Sequence, residues 1–365
     1  MLGARIWLRS LGLCVFLSLH PVAIRAADIV LTLPLGLDVN ELNIPTDNGL
    51  TTQKRDLGKL LFFDPRLSVD NTISCTSCHR PENAFSDISA VSAGVLGLAG
   101  NRNTPTAINR VFSSVQFHDG RASSLESQAT QPIVNAVEMG MPNVASVVTK
   151  LNNISGYRDL FQSAFGTDVT ALGLEQALAT FQRTLLSGNS RVDHFQAGNS
   201  IALTPSETRG RNVFNGRGRC DACHGGANFS DESFHNLGVG INNAKPDLGR
   251  EVVTGNPNHR GQFKTPTLRE ISLTAPYMHD GSILSLADVV DFYDQGGEAN
   301  PNLANQIQVL GLSVQQKSDL VNFLSALTGE GWQMAAPSSF PADQDDEVED
   351  EGLPIWLLWH ITSGS

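Results

Sequence analysis

The chain has 365 residues, with 37 acidic against 25 basic side chains and a formal net charge of −12. That balance makes nucleic acid and anionic membrane surfaces poor partners, and a small basic protein a reasonable one. The length suits two domains with separate cores.

Taken in chain order, residues 1–26 read as a secretory leader. Arg5 and Arg9 precede an apolar stretch from Leu11 to Leu19, and Ile24-Arg25-Ala26 resembles a small-residue cleavage site. The stretch is too short, and too soon met by His20-Pro21, to span a bilayer. An uncleaved anchor is the alternative. Cys14 follows Leu13 rather than a small residue, which argues against lipid attachment. Loss of Arg5, Arg9 and Arg25 with the leader would move the net charge from −12 to −15. The expected location is the periplasm.

Cys75-Thr76-Ser77-Cys78-His79 is a complete C-x-x-C-H pentapeptide, the attachment pattern of a c-type haem. Two thiols add across the two vinyl groups, and the adjacent histidine lands under the iron as proximal ligand. Leu174 to Leu186 has the periodicity of an amphipathic helix, with Leu174, Ala177, Leu178, Phe181 and Leu185 on one face. Gly198-Asn199-Ser200 marks a division of the chain. Thr204-Pro205-Ser206-Glu207 combines a capping box with proline at the first helical position. A second pentapeptide follows, Cys220-Asp221-Ala222-Cys223-His224. Ser285-Leu286-Ala287-Asp288 opens a helix that runs through Val289 and Val290 to Tyr293 and stops near Gly296-Gly297. Val314 to Leu327 is a further helix, with Ser313 and Gln316 as its cap. Asp343 to Glu351 holds seven carboxylates in nine residues and reads as a disordered acidic tail. The apolar run Leu353 to Ile361 that follows is too short to cross a membrane.

Zinc and dithiol chemistry are the competing readings of the cysteine pairs. Zinc needs four ligands on one ion, and the pairs lie 145 positions apart. Dithiol exchange does not explain a histidine after each pair. Two covalently bound haems are therefore expected, with Cys75, Cys78, His79, Cys220, Cys223 and His224 holding them.

The two motifs sit in a repeat. Ala84-Phe85-Ser86-Asp87, Thr104-Pro105-Thr106, His118-Asp119-Gly120 and Ser124-Leu125 follow the first. Asn228-Phe229-Ser230-Asp231, Thr265-Pro266-Thr267, His279-Asp280-Gly281 and Ser285-Leu286 follow the second, in the same order. With little period-two alternation, this predicts an all-α protein of two cytochrome c-like haem domains related by internal duplication. The expected division is leader 1–26, a first haem domain 27–200, a second haem domain 201–334 and the acidic tail 335–365.

The copies differ where a second axial ligand would stand. Tyr293 lies seven residues beyond Leu286 and shares a helical face with Val289 and Val290, so its phenol points inward. Met278 is the competing ligand, and an ordinary half-buried aromatic is the unremarkable reading of Tyr293. The same step from Leu125 gives Pro132, which has no donor atom. The first haem is thus left open on one side, with Gln128 and Glu138 nearby. Peroxide cleavage needs a proton moved from the near to the far oxygen, which is general acid–base work. Glu138 sits in Val137-Glu138-Met139-Gly140, where apolar neighbours favour desolvation and a raised pKa.

Residues Leu57 to Ser68, the first haem motif, Arg102 to Thr106, Asp119 to Ala122, Val137 to Gly140, Leu273 to Tyr277 and Val289 to Tyr293 together resemble the bacterial dihaem cytochrome c peroxidases and their MauG relatives. The resemblance runs from about residue 45 to 330. It implies a periplasmic oxidoreductase that uses hydrogen peroxide, with His79 on the peroxidatic haem and His224 on the electron-transfer haem. Gln128 and Glu138 match the distal catalytic pair. Asn103, Thr274 and Pro276 match positions that hold a calcium ion between the domains. Three departures stand out. The displaceable histidine of the typical peroxidases is missing, its position falling in Ala93-Gly94-Val95-Leu96. Tyr293 stands where those peroxidases have methionine and MauG has tyrosine. His118 stands where both have tryptophan, and its plainer role, like that of His279, is to hold haem propionates.

The resulting expectation is peroxide reduction at the first haem, with electrons arriving through the second from a small cytochrome or copper protein. A MauG-like enzyme oxidising side chains of a partner protein is the alternative. A dihaem electron carrier without catalysis is the reading from a different class. No membrane span is expected after leader removal.

Overall fold

The computed structural model describes residues 28–343, so the leader and most of the acidic tail lie outside the described residues. Helices dominate. The first half contains α1 (Thr52–Phe63), α2 (Leu125–Ala129), α3 (Gln131–Val134), α4 (Val144–Asn152), α5 (Ser155–Phe165) and α6 (Ala171–Arg183). The second contains α7 (Arg191–Gln196), α8 (Pro205–Phe214), α9 (Arg250–Thr254), α10 (Leu286–Asp294) and α11 (Val314–Ser325). The all-α expectation needs one correction. Strands β1 (Phe234–Asn236) and β2 (Gln262–Lys264) pair antiparallel, with His235 opposite Phe263.

Capping chemistry sets the helix starts as the sequence implied. Thr204 and Glu207 close a reciprocal box at α8, Ser313 and Gln316 another at α11, and the Ser285 hydroxyl accepts from Asp288 N at α10. Helix α6 begins and ends three residues ahead of the expected span. The Thr170 hydroxyl accepts from Gly173 N and so fixes an earlier first turn.

Two cores result. The first gathers Leu57, Leu61, Phe62, Phe85, Tyr157, Phe161, Leu174, Leu178 and Phe181, and the second Val192, Phe214, Leu286, Val290, Leu320, Phe323 and Leu327. Helix α1 crosses α6 in one, and α8 crosses α11 in the other. Both crossings need a glycine. A Cβ on Gly58 would lie 2.0 Å from the Ala177 carbonyl oxygen, and one on Gly210 would lie 1.9 Å from that of Asp319. Val192, on α7, belongs to the second core, so the change of core comes ahead of residue 200.

After α11 the chain returns to the first core. Gly188 and Glu330 pair through backbone bonds of 2.7 and 3.2 Å, Trp332 is buried there, and Met334 and Phe340 pack beside it. Residues 335–343, the expected start of the tail, run on along α5, where Gly156 N donates to Ala342 O and Ser155 N to an Asp343 carboxylate oxygen.

Candidate haem sites

Each C-x-x-C-H segment forms a single tight turn, in which the histidine N–H donates to the first cysteine's carbonyl at 2.8 Å. The His79 Nδ1–H donates to Phe85 O at 3.1 Å and the His224 Nδ1–H to Phe229 O at 3.0 Å. Each bond selects the tautomer whose Nε2 lone pair is free for a metal. Burial lowers the proton affinity of both imidazoles, which keeps them neutral.

The accepting carbonyls belong to residues in the left-handed region, Phe85 at φ 55° and Phe229 at φ 51°. Further positive-φ residues match across the halves: Asn109 and Glu270 at 57° and 62°, Phe117 and Met278 at 68° and 72°. The threonines of the two Thr-Pro-Thr segments act alike, Thr106 donating to Ala84 O at 2.6 Å and Thr267 to Asn228 O at 2.7 Å.

Cys75, Cys78, Cys220 and Cys223 are free thiols in the structure. Burial pushes Cys75 and Cys220 up to about 12, so neither is a reactive thiolate. Cys223, Asp231 and His235 bring three possible metal-ligand atoms within 4.8 Å of one another. The Cys223 thiol is also the second attachment point of its C-x-x-C-H turn, which is the use the motif predicts.

A large apolar cavity opens beside the second turn, lined by Cys220, Cys223, His224, Met278, Tyr293 and Leu324, among others. Both proposed axial donors, Tyr293 and Met278, therefore reach the same space as His224. Burial raises the Tyr293 phenol well above its ordinary pKa. The first half supplies part of the wall, including Asn103, Thr104, Pro105, Arg110 and His118.

Two cations on that wall were not foreseen from the sequence. Arg110 is half-buried and bonds only neutral groups, Gln116 Oε1 at 2.7 and 2.9 Å and Val115 O at 3.3 Å. Lys264 is buried and pairs with Glu232 at 2.9 Å. Burial, reinforced by the Arg110 charge, lowers its ammonium to about 8. Two cations facing one carboxylate in a dry wall call for a further anion. The carboxylates of a haem fit that demand, as the thiol pair and the free Nε2 fit its vinyl groups and iron.

His118, expected to hold haem propionates, also makes a backbone contact. Its Nε2–H donates to Asn103 O at 2.9 Å, and burial lowers it to about 4, so Nδ1 of the neutral ring is an acceptor. His279 stacks on Phe263 with ring centroids 3.7 Å apart. The halves are locked at this junction: Arg102 pairs with Asp119 and Asp247 at 2.6 Å each, and Asn103 N donates to His279 O at 2.8 Å.

At the first turn, Glu138 is close enough for its charge to bear on both Cys75 and Cys78. Burial raises its pKa, partly offset by the Arg121 charge and by an Asn135 Nδ2 hydrogen bond of 2.8 Å. Gln128 stands on α2, with no side-chain hydrogen bond among the described residues. The loop where a displaceable histidine would sit is clipped to the distal segment, Val95 N donating to Glu138 O at 2.9 Å. Val95 is buried there. Pro132 lies in α3, where it presents no donor atom. Asn103, Thr274 and Pro276 all line the junction cavity, and the Asn103 amide donates to Ser89 O and Ala90 O at 3.2 Å each.

The model of the di-haem cytochrome c peroxidase family matches residues 52–201. The methylamine utilization protein MauG of Methylophilus methylotrophus is 40% identical over 298 residues, covering 80% of this chain and 88% of that protein. The chain belongs to the di-haem cytochrome c peroxidase family. The cytochrome c551 peroxidase of Nitrosomonas europaea is 37% identical, covering 80% of this chain and 84% of that enzyme. The crystal structure of a MauG-like protein associated with microbial copper homeostasis aligns with a TM-score of 0.75 at 33% identity, covering 82% of this chain and 96% of that one. Membership carries two haem c groups and peroxidase-type oxidoreductase chemistry. Among the described residues no helix is long and apolar enough to cross a membrane.

Proposed function

We propose that this chain is a periplasmic dihaem peroxidase that reduces hydrogen peroxide at its first haem site, with electrons entering through the second. When bound, the two haems would supply an iron for peroxide cleavage at the first site and an iron for passing electrons at the second. The observation that carries this reading is the contrast between the sites. Tyr293 and Met278 reach the cavity of His224, whereas Pro132 and the clipped Val95 loop offer no ligand near His79.

In the first site the Glu138 carboxylate would hold and move the proton that peroxide cleavage transfers from the near to the far oxygen. Its burial supports that role, because a raised pKa brings it nearer to neutral pH. The Asn135 hydrogen bond fixes the carboxylate, and the Gln128 amide orients the peroxide. In the second site Tyr293 would be the favoured protein ligand of the haem iron, with Met278 as the alternative. Arg110 and Lys264 hold the carboxylates of the second haem. The matched left-handed residues and threonine bonds support two copies of one haem-binding unit. Calcium binding by Asn103, Thr274 and Pro276 is what the family resemblance implies, and all three line one cavity, where oxygen donors would suit a hard cation.

Electron paramagnetic resonance of the oxidised protein tests the contrast. A high-spin signal beside a low-spin one is expected; two low-spin signals would leave an electron carrier instead. Oxidation of a partner protein's side chains is the second reading, favoured by Tyr293 and by the missing histidine ligand. Incubation with candidate periplasmic partners and peroxide, read by mass spectrometry for added oxygen, distinguishes it from reduction by a small cytochrome or copper protein.

A further inference from the structure

Trp332 is the only tryptophan among the described residues, and it sits where its chemistry is hard to explain by packing alone. It is 5% exposed, yet its Nε1–H has no well-formed hydrogen bond. Buried indoles usually find a partner, so an orphaned one needs a reason. Beside it lies Glu270, itself fully buried, whose Oε2 is equally unpartnered. The indole donates towards this carboxyl without completing the bond. The other carboxyl oxygen, Oε1, is occupied by the Ser187 hydroxyl and by Gly329 N at 2.7 Å. The pair therefore forms a closed donor–acceptor unit cut off from water.

Its position relates it to the first haem site. Trp332 shares a cleft with Phe63, Thr76 and Met334, and Thr76 is the second residue of the Cys75–His79 turn. Phe63 stands 6.3 Å from Phe62, and Phe62 stands 6.2 Å from the His79 ring, centroid to centroid. The indole thus lines the same cleft as the attachment turn, and ring contacts lead from Phe63 through Phe62 to the proximal histidine.

We propose that Trp332 and Glu270 form an internal proton-coupled electron donor for the first haem site. The idea rests on the peroxidase reading above. Reduction of one peroxide to two waters takes two electrons and two protons. One electron comes from the second haem iron and the other from Trp332, when no external donor has delivered it. The indole loses its Nε1 proton to Glu270 Oε2, breaking N–H and forming O–H, and a neutral indolyl radical stays on Trp332. The two protons of the waters come from solvent. Burial raises the pKa of Glu270, which makes it a better proton acceptor than an exposed carboxylate.

The test is freeze-quench electron paramagnetic resonance of the haem-loaded protein after peroxide, without an external donor. The expected result is an organic radical whose hyperfine pattern narrows when the protein is made with ring-deuterated tryptophan. Trp332→Phe should lose that signal. Labelling the native chain needs no substitution, so the proposal stays testable if the phenylalanine variant misfolds. In Glu270→Gln, loss of the neutral-radical pattern is expected, because the amide takes no proton. Consumption of the high-spin haem signal by peroxide reports the peroxidase reading separately. If that signal does not respond, the peroxidase reading fails. If it responds while no radical narrows with deuterated tryptophan, or the radical survives in Trp332→Phe, this proposal is overturned.

Discussion

Replacing Glu138 by glutamine isolates one step of the proposed chemistry. The substitution keeps the volume, the Val95 N–H to Glu138 carbonyl bond of 2.9 Å, and an amide oxygen to receive the Asn135 hydrogen bond. What it removes is an atom pair that can take up and release a proton. Proton transfer by a placed side chain is worth ~10²-fold or more, so the rate of reaction with peroxide should fall by at least that factor. This corresponds to about 2.7 kcal/mol of barrier. Stopped-flow absorbance of the haem band after peroxide mixing reads the rate, and the resting spectrum checks that both haems are attached. The pH dependence sharpens the test. The carboxylate must be unprotonated to accept, so the native rate falls as pH drops through its pKa. Burial places that limb above the ordinary glutamate value of 4.5. The glutamine variant should be slow at every pH and lack the limb. Native kinetics in a spectroscopically intact variant would refute the assignment and put the acid elsewhere.

Tyr293→Phe should alter the low-spin signal and leave the high-spin one; an unchanged low-spin signal in that variant would make Met278 the ligand. Arg110→Gln removes a positive charge from the wall of the second cavity. Positive charge favours the reduced iron, so the midpoint potential of the low-spin haem should fall by tens of millivolts in spectroelectrochemical titration, and an unshifted potential would refute the anchoring role. Arg269 and Asp193 form an ion pair in which both side chains are fully buried, at 2.9 Å. Arg269→Met strands the carboxylate, and denaturant unfolding should show a loss of about 3–5 kcal/mol, against which a change below about 1 kcal/mol would count.

The parts of this site that the sequence revealed are those in which covalent geometry dictates residue identity. Thiol spacing and the following histidine cannot vary if a haem is to be attached twice and ligated once, so Cys75–His79 and Cys220–His224 were legible at sight. Capped helices were legible for a similar reason: Thr204–Glu207 and Ser313–Gln316 satisfy backbone donors in a fixed pattern. The three-residue strands β1 and β2 are too short to show a period, and their pairing joins segments far apart in the chain. The return of Trp332 to the first core was equally hidden, because an isolated tryptophan between Gly331 and Gln333 carries no pattern to follow.

Arg110 was hidden differently, and its case says where such residues are to be sought. Stepping from Thr104 to Arg110 in the first half is matched by stepping from Thr265 to Ile271 in the second. The same comparison sets Pro132 against Tyr293. Where the halves agree, in the Thr-Pro-Thr bonds and the left-handed Phe85 and Phe229, the residues build a turn that any attached haem requires. Where they disagree, the residue is polar or coordinating on one side only, and Arg110, Ile271 and Tyr293 lie on the wall of one cavity. On the proposed duplication, shared positions answer to the demands of the scaffold. Its unshared positions are free to make one iron a conduit and the other a reaction site. Arg110 extends this logic across the junction, because it is rooted in the first half and lines the cavity of the second. A change in how the halves pack would therefore move a charge relative to the second iron, and thereby its potential, without touching either ligand.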